Sequence, residues 1–169
     1  MADGAERVIG EISPAYSFAR QHGPVRIVIS DRRFIVLWTG GHSWLPRLSR
    51  YNEWRKSAAN SIAWRLGSGA LPSQAESIAW SLEHNAISNL FAQRKWGLGA
   101  DPKVALLNVA VFQYQLGFGA STGVGWGPMP VFTFAVPGQP NALEGFLRST
   151  PLSRRVSRTW YLGKKLDPP

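Results

Sequence analysis

Two short runs rich in β-branched and aromatic residues, VRIVIS over 25–30 and RFIVLW over 33–38, are separated only by the polar pair Asp31 and Arg32. That spacing fits a tight hairpin, so the chain must house antiparallel strands. KVALLNVAVFQYQL over 103–116 and PVFTFAV over 130–136 read as two more strands, because valine and the aromatics suit a pleated surface. Between them, residues 117–127 hold five glycines and read as a long mobile connection.

Helical periodicity is expected in two places. From Arg50 to Leu66, with Ser49 as N-cap, the residues Tyr51, Trp54, Ala58, Ile62 and Leu66 recur on one face before Gly67 and Gly69 end the pattern. Over 73–90, Ser73 and Glu76 fit a capping box after Pro72. There Ala75, Ile78, Ala79, Leu82, Ala86 and Leu90 make one apolar stripe, and Trp80, His84, Ile87 and Phe91 a second beside it. Together these elements predict an α+β single domain: a roughly four-stranded, mainly antiparallel sheet packed on two central helices, plus a basic C-terminal arm. The length of 169 residues suits one such domain. Its boundaries are an N-terminal extension over 1–24, with a short strand over 8–12 or a helical turn over 16–21, a core over 25–140, and the arm over 141–169, opened by a short helix at 141–147.

Charge then narrows the partners. The formal net charge is +9, and arginines outnumber lysines 14 to 5, which favours bidentate contacts to phosphate. Arg148, Arg154, Arg155, Arg158, Lys164 and Lys165 face a single acid, Asp167, in the last 23 residues. Like charges this dense call for a polyanion, and Trp160 and Tyr161 among them are able to stack on unpaired bases. A second basic group, Arg47, Arg50, Arg55 and Lys56, accompanies Trp44, Tyr51 and Trp54. It either extends the binding surface or is the solvated outer face of a helix whose aromatics belong to the core. Arg32 and Arg33 join a binding surface only if the hairpin tip faces the same way. Eight tryptophans exceed what one small core holds, and Trp64, Trp96 and Trp126 stand where anchors of a subunit interface would stand.

Several chemistries are poorly supported. The absence of cysteine excludes disulfides, thiolate metal sites and cysteine nucleophiles. No metal and no cofactor are expected, since His22, His42 and His84 lack ligand spacing. The glycine-rich stretch is not followed by the lysine and hydroxyl residue of a nucleotide loop. Acids near the N-terminus argue against a signal peptide, and no apolar run is long enough for a transmembrane segment. Cytoplasmic or virion-associated residence follows.

The leading expectation is a non-enzymatic structural or assembly protein of a nucleoprotein particle: a virion core, nucleocapsid or packaging accessory, or a ribonucleoprotein subunit. It would self-associate or join a larger assembly and bind nucleic acid, RNA ahead of DNA, through the arm. Deleting 147–169 should then leave the body folded. The alternatives are an accessory subunit whose arm docks on an acidic protein neighbour and, third, a small hydrolase or transferase using His42 or His84.

Overall fold

The computed structural model describes residues 4–18, 22–40, 46–58, 60–67, 70–73, 78–94, 103–112 and 131–157. Their dominant feature is one eight-stranded antiparallel sheet. β1 (Val8–Ser17), β2 (Gly23–Ser30) and β3 (Arg33–Trp38) form a meander, and the hairpin expected from its two-residue spacer is present, with Ile29 opposite Phe34. Helix α1 (Arg47–Ala58) comes next, then the short β4 (Trp64–Leu66), which pairs with β1. β5 (Ile78–Glu83) returns to β3, and a 3-10 turn, His84–Ala86, leads into a second meander of β6 (Ile87–Arg94), β7 (Val104–Val111) and β8 (Val131–Pro137). Tyr16 opposite Ala135 joins β8 to β1. Across the sheet the order is β5-β3-β2-β1-β8-β7-β6. Helix α2 (Pro140–Arg148) and a 3-10 turn, Pro151–Arg155, complete the described chain.

The sheet is rolled rather than flat. Strands β5 and β8 are four steps apart, which in a flat sheet would separate them by about 19 Å. Yet the rings of Trp80 on β5 and Phe132 on β8 have centroids 4.4 Å apart, and Phe34 on β3 lies 6.3 Å from Phe134 on β8. The three-residue link His84–Ala86 carries the chain from one end of the strand order to the other. Alternate residues from every long strand therefore meet in one interior: Ile12, Ile27, Phe34, Leu82, Leu90, Leu107 and Phe134 belong to a single buried cluster. β2 and β3 are apolar on consecutive positions and are covered on both faces, by the interior of the roll on one side and by Val8 and Leu71 on the other. On the outer face, α1 lays Tyr51, Trp54 and Ala58 over Tyr16, Val104 and Ala135.

This architecture overturns the expected four-stranded sheet on two central helices: the protein is mostly sheet, with only two short helices among the described residues. The first long helix stops at Ala58, and Ile62, placed on its core stripe, is 89% exposed. Residues 64–66 are drawn into β4 instead, where Trp64 packs on Phe146 of α2. The second expected helix is two strands. Trp80 and Leu82 sit opposite Val36 and Phe34, and all four point into the roll. The apolar spacing that mimicked a helical stripe is the period-two pattern of β5 and β6 interrupted by the 84–86 turn, an ambiguity inherent in short apolar runs. Residues 74–77 of the capping box and 117–127 of the glycine-rich stretch lie outside the described residues.

Both appendages enter the body as well. β1, from the expected N-terminal extension, lies between β2 and β8 at the middle of the sheet. From the expected arm, Leu143, Leu147 and Leu152 have no exposed surface and belong to the interior cluster. Among the described residues no helix is long and apolar enough to cross a membrane.

Candidate nucleic-acid interface

Arg148, Arg154 and Arg155 are carried by a segment that core packing fixes in place. Pro140 opens α2, where its missing N–H costs nothing. After α2, the Thr150 hydroxyl donates to the Leu147 carbonyl at 2.6 Å and accepts from Leu152 N–H at 3.2 Å, which caps the 151–155 turn. Val156 then bridges to Leu90, and Ser157 N–H donates to the Leu90 carbonyl at 2.8 Å, so the chain runs beside β6. The body thus extends to Ser157.

This anchoring separates the basic residues into distinct environments. Arg148 pairs with Glu144 one helical turn earlier, at 3.0 Å. Arg154 is exposed and Arg155 half-buried, and among the described residues no carboxylate pairs with either. Arg158, Trp160, Tyr161, Lys164 and Lys165 lie outside the described residues, as do Trp96 and Trp126.

The tip of the β2–β3 hairpin carries Arg32 and Arg33. Buried Ser30 organises it by accepting from the Arg32 and Arg33 backbone N–H groups at 3.1 and 2.7 Å. Arg33 clamps Glu6 through two contacts of 2.9 and 2.8 Å. That hydrogen bond holds the Glu6 carboxyl below its usual pKa, against an opposing push from burial, and Ser30 adds to the lowering. Arg7 pairs with Asp31, and Arg32 donates to the Gly4 carbonyl at 2.9 Å. The turn beneath is tied to this tip, since His84 N–H donates to the Arg32 carbonyl at 3.1 Å.

His84 ties the 84–86 turn to the hairpin. Its ring hydrogen-bonds to the Arg33 backbone, while Nε2 is buried with no partner. Burial pushes its pKa down; the bond to Arg33 and the charges of Asp31 and Glu6 oppose this, and the charge of Arg155 adds to it. Arg32 and Arg33 at the hairpin tip are thus engaged with Gly4 and Glu6 and joined to the 84–86 turn. Sequence reasoning placed His84 on a helical stripe and missed its position here. The available signal was Glu83-His84-Asn85, a polar triplet between two apolar runs.

The second basic group stands apart. α1 packs over Tyr16, whereas the hairpin tip adjoins Val8 at the other end of β1, about 25 Å away at the rise of a strand. Arg47 opens this helix, and Arg50 donates to the His22 carbonyl at 3.0 Å. Tyr51 and Trp54 are buried against Tyr16, with centroids 5.4 and 5.7 Å away, so neither offers a free face for a base. Arg55 is half-buried and Lys56 exposed in the last turn, where cations complement the helix dipole. Trp64, nominated as an interface anchor, is partly buried on Phe146.

The arrangement offers two arginines on a core-anchored turn, with no carboxylate counter-ion among the described residues. No protein-family model matches this chain, and neither the curated proteins nor the solved structures compared with it include a match.

Proposed function

We propose that this protein is a non-enzymatic structural or assembly component of a nucleoprotein particle that binds nucleic acid, RNA ahead of DNA, through its C-terminal cations. The observation that carries the reading is the pair Arg154 and Arg155, held on a core-anchored turn and left without a carboxylate partner among the described residues. The backbone that carries them has its conformational entropy already removed by folding, which favours phosphate binding over that of a wholly loose arm. The remaining cations of the segment come directly after them in sequence, so phosphates bound at this point would lead a strand onto them. Contacts of this kind read phosphate rather than base edges, and the binding is expected to tolerate sequence.

The test is fluorescence anisotropy of labelled single-stranded and duplex RNA and DNA across a salt series, with the full chain and with Arg154→Gln/Arg155→Gln. Each phosphate left unneutralised lowers the logarithmic salt slope by roughly 0.7 to 0.9, so the double variant's slope should fall by about 1.5. A truncation after Ser157 removes Arg158, Lys164 and Lys165 while sparing Leu147, Leu152 and Val156 of the core. Absence of binding by the full chain at low salt would reject the reading in favour of a basic segment that docks on an acidic protein.

A further inference from the structure

We infer that the outer edge of β5 is a self-association surface, on which β5 of a second copy of this chain pairs antiparallel about a two-fold axis. The inference gives the assembly role just proposed a contact surface, and its test uses no nucleic acid, so it stands or falls apart from the binding of RNA.

The strand edges are the first support. Among the described residues β5 pairs with β3 alone, so its other side presents a row of unpaired backbone N–H and C=O groups. The turn at 84–86 joins β5 to β6, yet the two strands do not pair with each other. Elsewhere the chain closes its own edges. At the far end of the strand order, Val156 bridges to Leu90 and Ser157 N–H donates to the Leu90 carbonyl, which occupies the outer side of β6. On β1, the side turned away from β2 is taken by β4 at Gly10, Glu11 and Ile12 and by β8 at Tyr16 and Ser17.

Charge is the second support, and it selects the occupant. Residues 78–83, IAWSLE, hold no lysine, no proline and one charge, Glu83 at the end, so β5 lacks the devices that keep an exposed edge from pairing. Ile78 is 44% exposed on it. With a net charge of +9, two copies repel over most of their surface and approach most readily where cations are absent, as along β5. In an antiparallel pair the two Glu83 carboxylates stand at opposite ends. An acidic peptide, which a +9 chain otherwise attracts, finds no cation on this strand and meets Glu83 instead.

Symmetry then sets the register. A two-fold axis that carries the sheet from one copy into the next keeps the same face inward, so residues opposite each other share a face and lie an even number of positions apart. Trp80 and Leu82 point into the roll, and Ser81 between them is exposed. Pairing centred on Ser81 sets Trp80 against Leu82 of the second copy on the inner face and one Ser81 against the other outside. These central pairs stay within 80–83, where the register on β3 is unbroken; pairing centred on Trp80 draws in Ile78, beyond the shift between Val36 and Leu37.

The chain contains no cysteine, so Ser81→Cys supplies a thiol whose only like partner is on another copy. Sedimentation velocity of the full-length wild type at about 100 µM should show a dimer, and dimerisation should tighten as salt screens the repulsion between copies, opposite to the salt dependence of nucleic-acid binding. Mild oxidation should lock Ser81→Cys into a covalent dimer, whereas Ser61→Cys, at an exposed position outside β5, should stay monomeric on denaturing gels. Ser81→Lys, which places two cations opposite each other at the axis, should weaken the dimer about tenfold or more with the far-UV circular dichroism unchanged. A wild type that sediments as a monomer throughout overturns the inference and leaves the nucleic-acid reading standing. A dimer that Ser81→Cys does not lock and Ser81→Lys does not weaken also overturns it. A dimer that meets all three expectations in a chain that ignores oligonucleotides upholds the surface and rejects the nucleic-acid reading.

Discussion

Replacing Leu152 by alanine tests whether the C-terminal segment belongs to the cooperative body. Leu152 has no exposed surface and lies in the same buried cluster as Leu90, Leu143 and Leu147. Removing its three terminal carbons forfeits their transfer free energy and leaves a cavity that the capped 151–155 turn resists closing, a cost of about 3 kcal/mol. For 169 residues, an unfolding entropy of about 2.1 cal/mol/K per residue gives roughly 350 cal/mol/K, so the Tm should fall by about 8 °C. With a urea m-value of about 2 kcal/mol/M, the midpoint should fall by about 1.5 M. Tryptophan fluorescence and far-UV circular dichroism in urea would measure it, with Leu107→Ala on β7 as the core benchmark and Arg154→Ala as the surface control. Stability within about 0.5 kcal/mol of wild type for Leu152→Ala, alongside a large loss for Leu107→Ala, would refute the placement of this segment in the core. Truncation should act in the same direction: deleting 147–169 removes Leu147, Leu152 and Val156 together, so the body should unfold, contrary to the sequence expectation.

Gly138 has φ +123°, and a Cβ there would collide with the Trp64 ring, so Gly138→Ala should cost about 3 kcal/mol by urea unfolding; a neutral outcome would remove Trp64 from its place over the β8–α2 junction. Glu6 titrates below its usual value in the folded chain, so the stability it contributes is complete above about pH 4.5 and is lost as pH falls through the lowered folded value. Glu6→Gln should flatten that acid limb and cost about 1 kcal/mol or less at pH 7, because the pair with Arg33 is partly solvated; an unchanged acid limb in urea melts would show that Glu6 has no such role.

The hairpin was legible because Asp31 and Arg32 form a local signal: two residues, two flanking runs, one turn. α2 was legible for a similar reason, since Pro140 and the spacing of Leu143, Phe146 and Leu147 define a short amphipathic helix. The 73–90 segment was not, because Ile78, Leu82, Ala86 and Leu90 satisfy a helical period as well as two interrupted strands do, and only long-range pairing with Val36 and Phe34 decides. Rolling was invisible for the same physical reason: closure depends on Trp80 meeting Phe132, residues 52 positions apart. At the candidate interface, Arg154 and Arg155 were nominated from charge density alone, but the anchoring of their turn depends on Leu152, which no local pattern announces.

The pairing of β1 with β8 has a temporal consequence. Tyr16 and Ser17 emerge early in synthesis, and their partners Ala135 and Phe134 more than a hundred residues later. At ordinary translation speeds that interval is on the order of 5–20 s, during which β4 is able to cover only Gly10, Glu11 and Ile12 of the waiting edge. A nascent chain of this design therefore carries an open strand edge for most of its time on the ribosome. Its yield in a cell depends on how well that edge is shielded until Val131–Pro137 arrives.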